Sequence, residues 1–222
     1  MRRQHVCAFS LTLWLCVTVV WAASSHKHHQ ASTSQPGDFD YYLLSVSWAP
    51  NYCEDHPSHS GECRPGANKG FVLHGLWPQS ETGPYLQNCA DAPPVASDIV
   101  NHMLNYMPTA ALVQHEWQTH GTCSGLSAQD YFDKVEQAFR GLQIPQAYQQ
   151  LPQQQKVGVQ ALEQAFASAN NATAGAFRVS CHIGELVNVE ACLSKDLQYQ
   201  SCKGSGVRQC NTNQVVMLPT TY

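Results

Sequence analysis

Ten cysteines in a chain of 222 residues are the feature that most limits what this sequence can fold into. Intracellular proteins seldom keep so many thiols unless these bind metal or carry out redox chemistry, whereas exported proteins join them as disulfides. No two of the cysteines have the CxxC spacing of a redox motif. The position of the cysteines relative to an export signal therefore decides how many of them belong to the fold.

The amino terminus has the parts of a secretory signal peptide, which we place at residues 1–22. Two arginines follow the first methionine, the stretch Val6–Trp21 is apolar, and Val20 and Ala22 suit the positions before a cleavage site. A membrane anchor is the alternative, but the apolar run is shorter than the ~20 residues that a spanning helix needs. The sequence therefore predicts a secreted or periplasmic protein with no membrane anchor after cleavage.

Cleavage of the signal changes the cysteine count and the charge. Cys7 and Cys16 leave with it, and the eight cysteines that remain allow up to four disulfides in roughly a hundred possible pairings. The two arginines leave as well, so ten Lys and Arg remain against 16 acidic residues, and the net charge changes from -4 to -6. This balance excludes a polybasic nucleic-acid clamp, but not a nuclease, which needs only a few phosphate contacts.

The pattern after the signal predicts a flexible lead-in, residues 23–37, and a single domain, residues 38–222. The predicted strands are Asp40–Trp48 and Phe71–Trp77, the second ended by Pro78, and the predicted helices are Ser97–Met107, Ala110–Gly121, Ser127–Leu142 and Gln153–Ala169. Short strand-like runs follow from Phe177. Strands and helices that mix without regular βαβ alternation predict an α+β fold, with a central, largely antiparallel sheet packed by several helices and stapled by disulfides.

Histidines concentrate in two segments. One is FVLHGLWP, residues 71–78, with His74 inside the second strand, and the other is HEWQTHGTC, residues 115–123. The second segment is similar to the zinc-protease pattern HExxH, in which two histidines four apart reach one metal ion. An extracellular zinc hydrolase is therefore one hypothesis for the function.

The spacing in the second segment argues against a zinc site. His115 and His120 are five apart, which on a continuous helix separates them by about 140°. Glu116 and His120 are four apart and share a helix face. We therefore expect a carboxylate beside an imidazole, and no metal or other cofactor.

A carboxylate beside one histidine, with a second histidine from another strand, suits general acid–base chemistry. A neutral imidazole can accept a proton while a charged one donates. RNA carries its own nucleophile for such a site, because each phosphodiester has a neighbouring ribose 2′-hydroxyl. A base that removes this proton and an acid that protonates the departing 5′-oxygen would cleave RNA without a metal ion.

The two histidine segments resemble the active-site segments of the ribonuclease T2 family, also called the Rh/T/S ribonucleases, which are secreted endoribonucleases. FVLHGLWP and HEW-x-x-HGTC each match at several positions and occur in the family's order. The resemblance extends more loosely over the opening GDFDYYLLSVSW and the Cys-rich tail, and the opening and the short loops are similar to those of bacterial members. It implies an endoribonuclease that cleaves single-stranded RNA through a 2′,3′-cyclic phosphate.

The resemblance also implies roles for individual residues. His120 would be the general base on the 2′-hydroxyl, His74 the acid on the leaving 5′-oxygen, and Glu116 would orient its neighbours and stabilise the phosphorane. Four further residues are expected to bind substrate: His115 at the phosphate, Trp77 and Tyr85 as surfaces on which a base stacks, and Thr119.

The position of Trp77 depends on the backbone of the first segment. It is three residues after His74 and, by the period of a regular strand, faces away from it unless Gly75 bends the chain. Stacking on a base and packing in the core are both open for this side chain.

Two positions depart from the family pattern. The family usually has Lys immediately before the second catalytic histidine, where this chain has Thr119, which offers only a hydroxyl. Loss of a charged donor at a transition state costs on the order of a hundredfold in rate, so either Lys69 substitutes or the enzyme is slower. Gln79 stands where some members have an Asp that contacts the base. Because Thr119 replaces the family lysine, a secreted RNA-binding or toxin-like module with weakened catalysis is a second hypothesis.

The family pattern further implies which cysteines pair with one another. The implied disulfides are Cys53–Cys63, Cys89–Cys123, Cys181–Cys210 and Cys192–Cys202. The Cys89–Cys123 bond would hold the two catalytic segments in register. We expect a monomer that acts on single-stranded RNA in mild acid, where protonated histidines offset its negative charge.

Overall fold

The computed structural model describes residues 35–57, 61–204 and 210–221, so the predicted signal peptide and most of the lead-in lie outside the described residues. The strands are β1 (Tyr41–Trp48), β2 (Phe71–Gln79), β3 (Gln155–Gly158), β4 (Phe177–His182), β5 (Glu185–Leu193) and β6 (Gln214–Met217). The α-helices are α1 (Ala49–Asp55), α2 (Ser97–Met103), α3 (Ala110–Thr119), α4 (Ala128–Gly141) and α5 (Val159–Ala169). No helix in these ranges is long and apolar enough to cross a membrane.

The described strands form one sheet in the order β2-β1-β5-β6-β3, with β4 also paired to β5. Their pairings are antiparallel except for a parallel bridge between β5 and β6. β1 lies between β2 and β5, and its aromatic and aliphatic residues are buried on both faces, as expected for a central strand. The predicted single α+β domain with a largely antiparallel sheet is therefore confirmed.

The two faces of the sheet are filled differently. One set of alternate β1 residues faces the main core, together with the apolar stripe of α4. The other set begins with Tyr41 and Leu43, which pack in a small cluster with Cys192. Further along this second face, Ser45 and Ser47 replace apolar residues. The change from apolar to polar residues marks the part of the sheet that carries the histidine site.

Several element bounds differ from the predictions, because tertiary contacts override the local pattern. β2 continues through Pro78, which lacks an N–H but is tolerated since β2 is an edge strand. Residues 155–158 form β3 rather than the start of a helix, because they pair with β6, and α5 begins only after Gly158. The sequence pattern does not predict α1, which has Pro50 in its first turn, where a missing N–H costs no helical hydrogen bond.

Four disulfides are present in the described residues, and they are the pairs that the family pattern implies. One of them, Cys89–Cys123, joins the segment after β2 to the 3-10 turn Gly121–Ser124 that follows α3. The Asn88 N–H also bonds to the Thr119 carbonyl at 2.7 Å, beside this disulfide. The chain that follows the first histidine segment is thus linked covalently to the end of the second. The other three disulfides are Cys53–Cys63, Cys181–Cys210 and Cys192–Cys202.

Candidate active site

A bulge in β2 brings His74 and Trp77 to the same side of the sheet. The pairing of β2 with β1 skips His74, between Leu73 and Gly75, so one residue of β2 has no partner in the ladder. The rings of His74 and Trp77 are consequently 5.4 Å apart, edge to face. Because the chain bends at this point, the side chains of His74 and Trp77 can act together.

α3 places a buried carboxylate against the bulge. Thr109 caps this helix, and its side chain accepts a hydrogen bond from the Leu112 N–H at 3.1 Å. Glu116 lies on the buried side of α3 and is 1 % exposed. The indole N–H of Trp77 donates to Glu116 Oε2 at 2.7 Å, and His74 Nε2 lies 3.4 Å from Glu116 Oε1. One carboxylate therefore contacts both functional candidates of the first motif.

The end of α3 determines where His120 lies. The helix stops at Thr119, and His120 is its C-cap, with φ -116° and ψ -44° and its N–H still bonded to the Glu116 carbonyl at 3.0 Å. The expectation that His115 and His120 are kept apart on different helix faces is wrong, because α3 ends at Thr119 and His120 is its C-cap. Their rings are 6.4 Å apart, face to edge.

Trp77 lies between the two histidines of the proposed acid–base pair. Its ring centre is 5.1 Å from that of His120 and, as noted, it also contacts His74. Part of the indole packs against the small cluster on the second sheet face. Trp77 therefore packs against the sheet and donates the hydrogen bond that orients Glu116. Stacking on a substrate base would be a further role of its ring.

The surroundings of His74 favour its charged form. Burial, the largest contribution, lowers the pKa of His74, but the hydrogen bond and the negative charge of Glu116 raise it, with Glu62 and Glu190 adding to the increase. The net result is a raised pKa. At the other ring nitrogen, Nδ1 lies 3.0 Å from Ser47 Oγ. His74 is thus contacted at both nitrogens in a form that can donate a proton.

The surroundings of His120 favour its neutral form. The pKa of His120 is lowered to about 4, mainly by burial, with further lowering by the charges of His115 and His74. Glu116 and the Leu86 backbone oppose this shift without reversing it. A neutral imidazole can accept a proton in mild acid and at neutral pH. The two histidines therefore differ in protonation over the same pH range.

The remaining substrate-binding candidates lie around His120. His115 is exposed, and its Nδ1 is 3.4 Å from Thr119 Oγ1. Tyr85 is 41 % exposed, with its ring edge-on to His120 at 6.0 Å. The structure thus brings these three residues to the rim of one site. Gln79, by contrast, is buried in β2, paired with Tyr41 of β1.

The site holds little positive charge apart from its histidines. In the part of the chain that the structure describes, no Lys or Arg is among the main causes of the pKa shifts of His74 and His120. Lys69, the candidate replacement for the family lysine, is an exposed residue of the loop before β2. The uncharged Thr119 contacts His115, and no ion pair joins a Lys or Arg to His74, His120 or Glu116 among these residues.

Three possible metal ligands come together at the end of α3. His115, Glu116 and His120 each offer one atom within 4.8 Å of the others, a donor set that fits zinc. Glu116 Oε2, however, already accepts the Trp77 hydrogen bond, and Oε1 lies 3.4 Å from His74 Nε2 without a well-formed hydrogen bond. A metal ion would have to displace these contacts, so the geometry of the carboxylate favours acid–base chemistry.

A cavity of about 310 Å³ adjoins His74 on the side of Ser47. Residues from α1, from the start of α3 and from the β4–β5 hairpin complete its wall, including Tyr52, Leu112 and Asn188. Apolar side chains alternate in this wall with polar and titratable ones, a combination that can hold and orient an organic ligand. A substrate group in this cavity would lie next to the His74 ring.

Four residues that contribute to the site are missing from the predictions made from the motifs. Asn188 and Glu190 stand out only as polar residues within the otherwise apolar strand ELVNVEACL, and this signal could have indicated them. Ser47 reaches the site through the pairing of β1 with its neighbours, and Glu62 through the disulfide-linked turn Gly61–Cys63. No local pattern predicts such long-range contacts.

The fold and the site together define a class: a disulfide-bonded α+β protein in which two histidines from separate elements lie around one buried carboxylate. Residues 39–202 match the model of the Ribonuclease T2 family. Because this match covers most of the sequence, the chain belongs to the ribonuclease T2 family.

Individual relatives agree with this assignment. A ribonuclease of Aeromonas hydrophila is 39 % identical over 97 residues, which are 44 % of this chain and 43 % of that protein. A probable ribonuclease of Haemophilus influenzae is 34 % identical over 120 residues, 48 % of this chain and 44 % of that protein. The match thus spans less than half the length of these curated relatives.

A solved structure of an RNase-related protein from Calystegia sepium has a TM-score of 0.64 and 23 % identity to this chain. The alignment covers 82 % of this chain and 97 % of that one. At this identity the likeness shows that the two proteins share a fold.

Proposed function

We propose that this protein is a secreted endoribonuclease that cleaves single-stranded RNA by transphosphorylation without a metal ion. The observation that carries the proposal is the presence of His74 and His120 around one buried carboxylate, with pKa values shifted in opposite directions. Two groups whose environments separate their pKa values are suited to act as acid and base in one reaction. Membership of the ribonuclease T2 family supports RNA as the substrate.

In the proposed first step, neutral His120 accepts the proton of a ribose 2′-hydroxyl. The 2′-oxygen forms a bond to phosphorus, the bond from phosphorus to the 5′-oxygen breaks, and this oxygen takes a proton from charged His74. The products are a 2′,3′-cyclic phosphate and a new 5′-hydroxyl. In the second step the roles are exchanged: His74 accepts a proton from water, and His120 protonates the 2′-oxygen as the ring opens.

The other residues of the site support these proton transfers. Glu116 keeps His74 charged and close, and the Trp77 N–H holds Glu116 in place. His115, exposed beside Thr119, is placed to contact the phosphate. The Thr119 hydroxyl offers the phosphate one further hydrogen bond. Tyr85 offers an exposed ring on which a base can stack.

The experiment that tests this function is incubation of the purified protein with a defined single-stranded RNA, followed by analysis of the new ends. We expect 2′,3′-cyclic phosphates and 5′-hydroxyls. His120→Ala and His74→Ala are each expected to lower the rate by about 10² to 10⁴-fold, the usual contribution of one acid or base. Retention of full activity in either variant would reject the assigned pair.

A surface histidine provides the matched control. His102 lies on α2 and bonds to Glu136 of α4 at 2.6 Å, with no contact to the site. His102→Ala is expected to cleave RNA at the unaltered rate. Equal losses in His102→Ala and His120→Ala would instead indicate a general effect of histidine removal on the fold.

Two alternatives are separated by simple measurements. The group of His115, Glu116 and His120 favours an extracellular zinc hydrolase as a second candidate, and a chelator that abolishes hydrolysis would support it. Thr119, without a nearby cation, favours an RNA-binding or toxin-like module with weakened catalysis. RNA binding without the appearance of cyclic ends would support that reading.

The last part of the proposal concerns the location of the protein and its oligomeric state. We place the mature chain outside the cell or in the periplasm, after removal of residues 1–22, as a monomer that needs no partner besides RNA. The mass of the protein recovered from the medium or periplasm tests the cleavage position, and its hydrodynamic size tests the monomer. A mass that retains residues 1–22 would contradict the signal peptide.

A further inference from the structure

Ser47 and Asn188 lie directly opposite each other on β1 and β5, next to the bulge that carries His74. The Ser47 hydroxyl donates a hydrogen bond to Asn188 Oδ1 at 2.7 Å, and Ser47 Oγ lies 3.0 Å from His74 Nδ1. Both residues belong to paired strands of the sheet and Asn188 is buried. The contact to His74 is therefore made from a rigid part of the fold.

The direction of these hydrogen bonds restricts where His74 carries its proton. A hydroxyl has one hydrogen, and that of Ser47 is directed to Asn188. Ser47 Oγ can therefore only accept from His74, which requires a hydrogen on Nδ1. In the neutral ring the remaining nitrogen, Nε2, then carries the lone pair, and this is the nitrogen beside Glu116.

We propose that Ser47 and Asn188 are positioning residues that keep a proton on His74 Nδ1, so that Nε2 is the atom that gives and takes the proton in both steps of RNA cleavage. This inference rests on the proposed function. In the first step charged His74 releases its Nε2 proton to the 5′-oxygen and keeps its Nδ1 proton on Ser47. In the second step Nε2, which then carries the lone pair, accepts a proton from water, and no ring rotation is needed between the steps.

The carboxylates around His74 act mainly on its charged form, and Glu116 beside Nε2 resists loss of the proton from that nitrogen. Glu116 from α3, Glu62 from the turn before β2 and Glu190 from β5 favour the charged ring, and His120 opposes it. Four further titratable groups line the adjoining cavity: Asp55, His56, His182 and Glu185. The carboxylates stabilise the positive charge of the ring, whereas Ser47 and Asn188 determine the nitrogen that remains protonated when the charge is lost.

Two substitutions remove this control in different ways. Asn188→Ala takes away the acceptor of the Ser47 hydroxyl, which can then donate to Nδ1 and favour the neutral ring with its proton on Nε2. Ser47→Ala removes the acceptor of the Nδ1 proton altogether. Asn188→Asp keeps an acceptor for the Ser47 hydroxyl and is expected to restore the arrangement.

Ser45→Ala is the matched control. Ser45 lies two residues before Ser47 on the same strand face and is likewise paired with β5, although Ser45 is fully buried and Ser47 is half-buried. Its Oγ has no hydrogen-bond partner in the described part of the chain. Its removal is expected to leave the His74 ring as it is.

The decisive experiment is a titration of the full mature protein by ¹⁵N NMR of its imidazoles, in the absence of RNA. In the wild type, Ser45→Ala and Asn188→Asp, we expect neutral His74 with its proton on Nδ1. In Ser47→Ala and Asn188→Ala we expect a larger Nε2-protonated fraction and a titration midpoint at lower pH. Unchanged His74 shifts and midpoint in the folded Ser47→Ala and Asn188→Ala proteins would overturn the inference.

Cleavage kinetics supply the second readout. Both disruptive variants are expected to lower kcat roughly tenfold at neutral pH, the scale of one hydrogen bond, with little change in KM. Absence of RNA cleavage in the wild type would reject the proposed function, whereas the NMR titration would still decide the positioning role. The two proposals therefore fail separately.

Discussion

Glu116 Oε2 lies directly against Gly75, where a Cβ atom on residue 75 would overlap it. The same Cβ would lie 2.7 Å from the indole nitrogen of Trp77. The glycine of the first motif therefore makes room for the carboxylate of the second motif. It also allows the hydrogen bond by which Trp77 holds that carboxylate.

Gly75→Ala is expected to lower kcat by about a hundredfold, because the methyl group forces Glu116 away from both His74 and Trp77. This is the scale of losing one preorganised electrostatic contact. Steady-state RNA cleavage measures the effect, and thermal unfolding reports the accompanying loss of about 1–3 kcal/mol for a methyl group forced into a packed site.

Gly141→Ala is the control for the glycine prediction. A Cβ at Gly141, the last residue of α4, meets no atom within 4 Å. This variant is expected to unfold at the same or a slightly higher temperature and to cleave RNA normally. Normal activity in Gly75→Ala would show that the Glu116 position is not required.

The relation between Gly75 and Glu116 also indicates what a sequence of this kind can predict. The two motifs, their order and the strand and helix that carry them follow from local patterns, and β2 and α3 form where those patterns occur. The bulge at His74 does not, because it depends on how β2 pairs with β1. The sequence indicates only that Trp77 lies on the same side of the strand as His74 if Gly75 bends the chain.

The end of α3 illustrates the second limit. A helical wheel drawn through His115 and His120 separates them, but the helix ends at Thr119 and a 3-10 turn follows. Helix ends are set by capping and by contacts such as the Cys89–Cys123 bond, and local periodicity places them only to within a few residues. Here the helix ends two residues before the predicted Gly121, and His115 and His120 come close together.

Thr119→Lys is expected to raise kcat, by up to about a hundredfold, because it adds a cation beside His115 at a position that now offers only a hydroxyl. Initial rates on a short single-stranded RNA measure it. Thr119→Met adds length without charge and is expected to give no increase. An unaltered rate in Thr119→Lys would contradict the view that the site is electrostatically incomplete.

The opposite pKa shifts of the two histidines predict a bell-shaped dependence of kcat/KM on pH. Activity rises as His120 loses its proton, with a midpoint near its pKa of about 4. It falls on the alkaline side as His74 loses its proton, at a pH above the 6.5 of an ordinary histidine, because the pKa of His74 is raised. The maximum therefore lies in mild acid to neutral solution.

Measurements of kcat/KM from pH 3.5 to 9, with folding checked by circular dichroism at each pH, test this profile. Ser45→Ala is expected to follow the wild-type curve. A steady increase in activity from pH 5 to 9 would contradict the assignment of His74 as the acid.

Removal of the Cys89–Cys123 bond is expected to lower activity and stability together. The bond closes a loop of 34 residues in sequence separation, and in the chain-entropy model such a disulfide contributes roughly 3–4 kcal/mol. Cys123 lies three residues after His120, and its N–H bonds to the His120 carbonyl at 3.0 Å. Loss of the bond thus loosens the turn that positions the proposed base, in addition to destabilising the fold.

The Cys181–Cys210 bond is the matched comparison, because its sequence separation is 29. The entropy model assigns the two bonds nearly equal contributions to stability, so the double alanine variants at each pair are expected to unfold at temperatures within a few degrees of each other. Only the variant without Cys89 and Cys123 is expected to lose activity at a temperature where both remain folded. Equal kcat/KM values in the two variants at that temperature would show that the bond stabilises the fold without positioning His120.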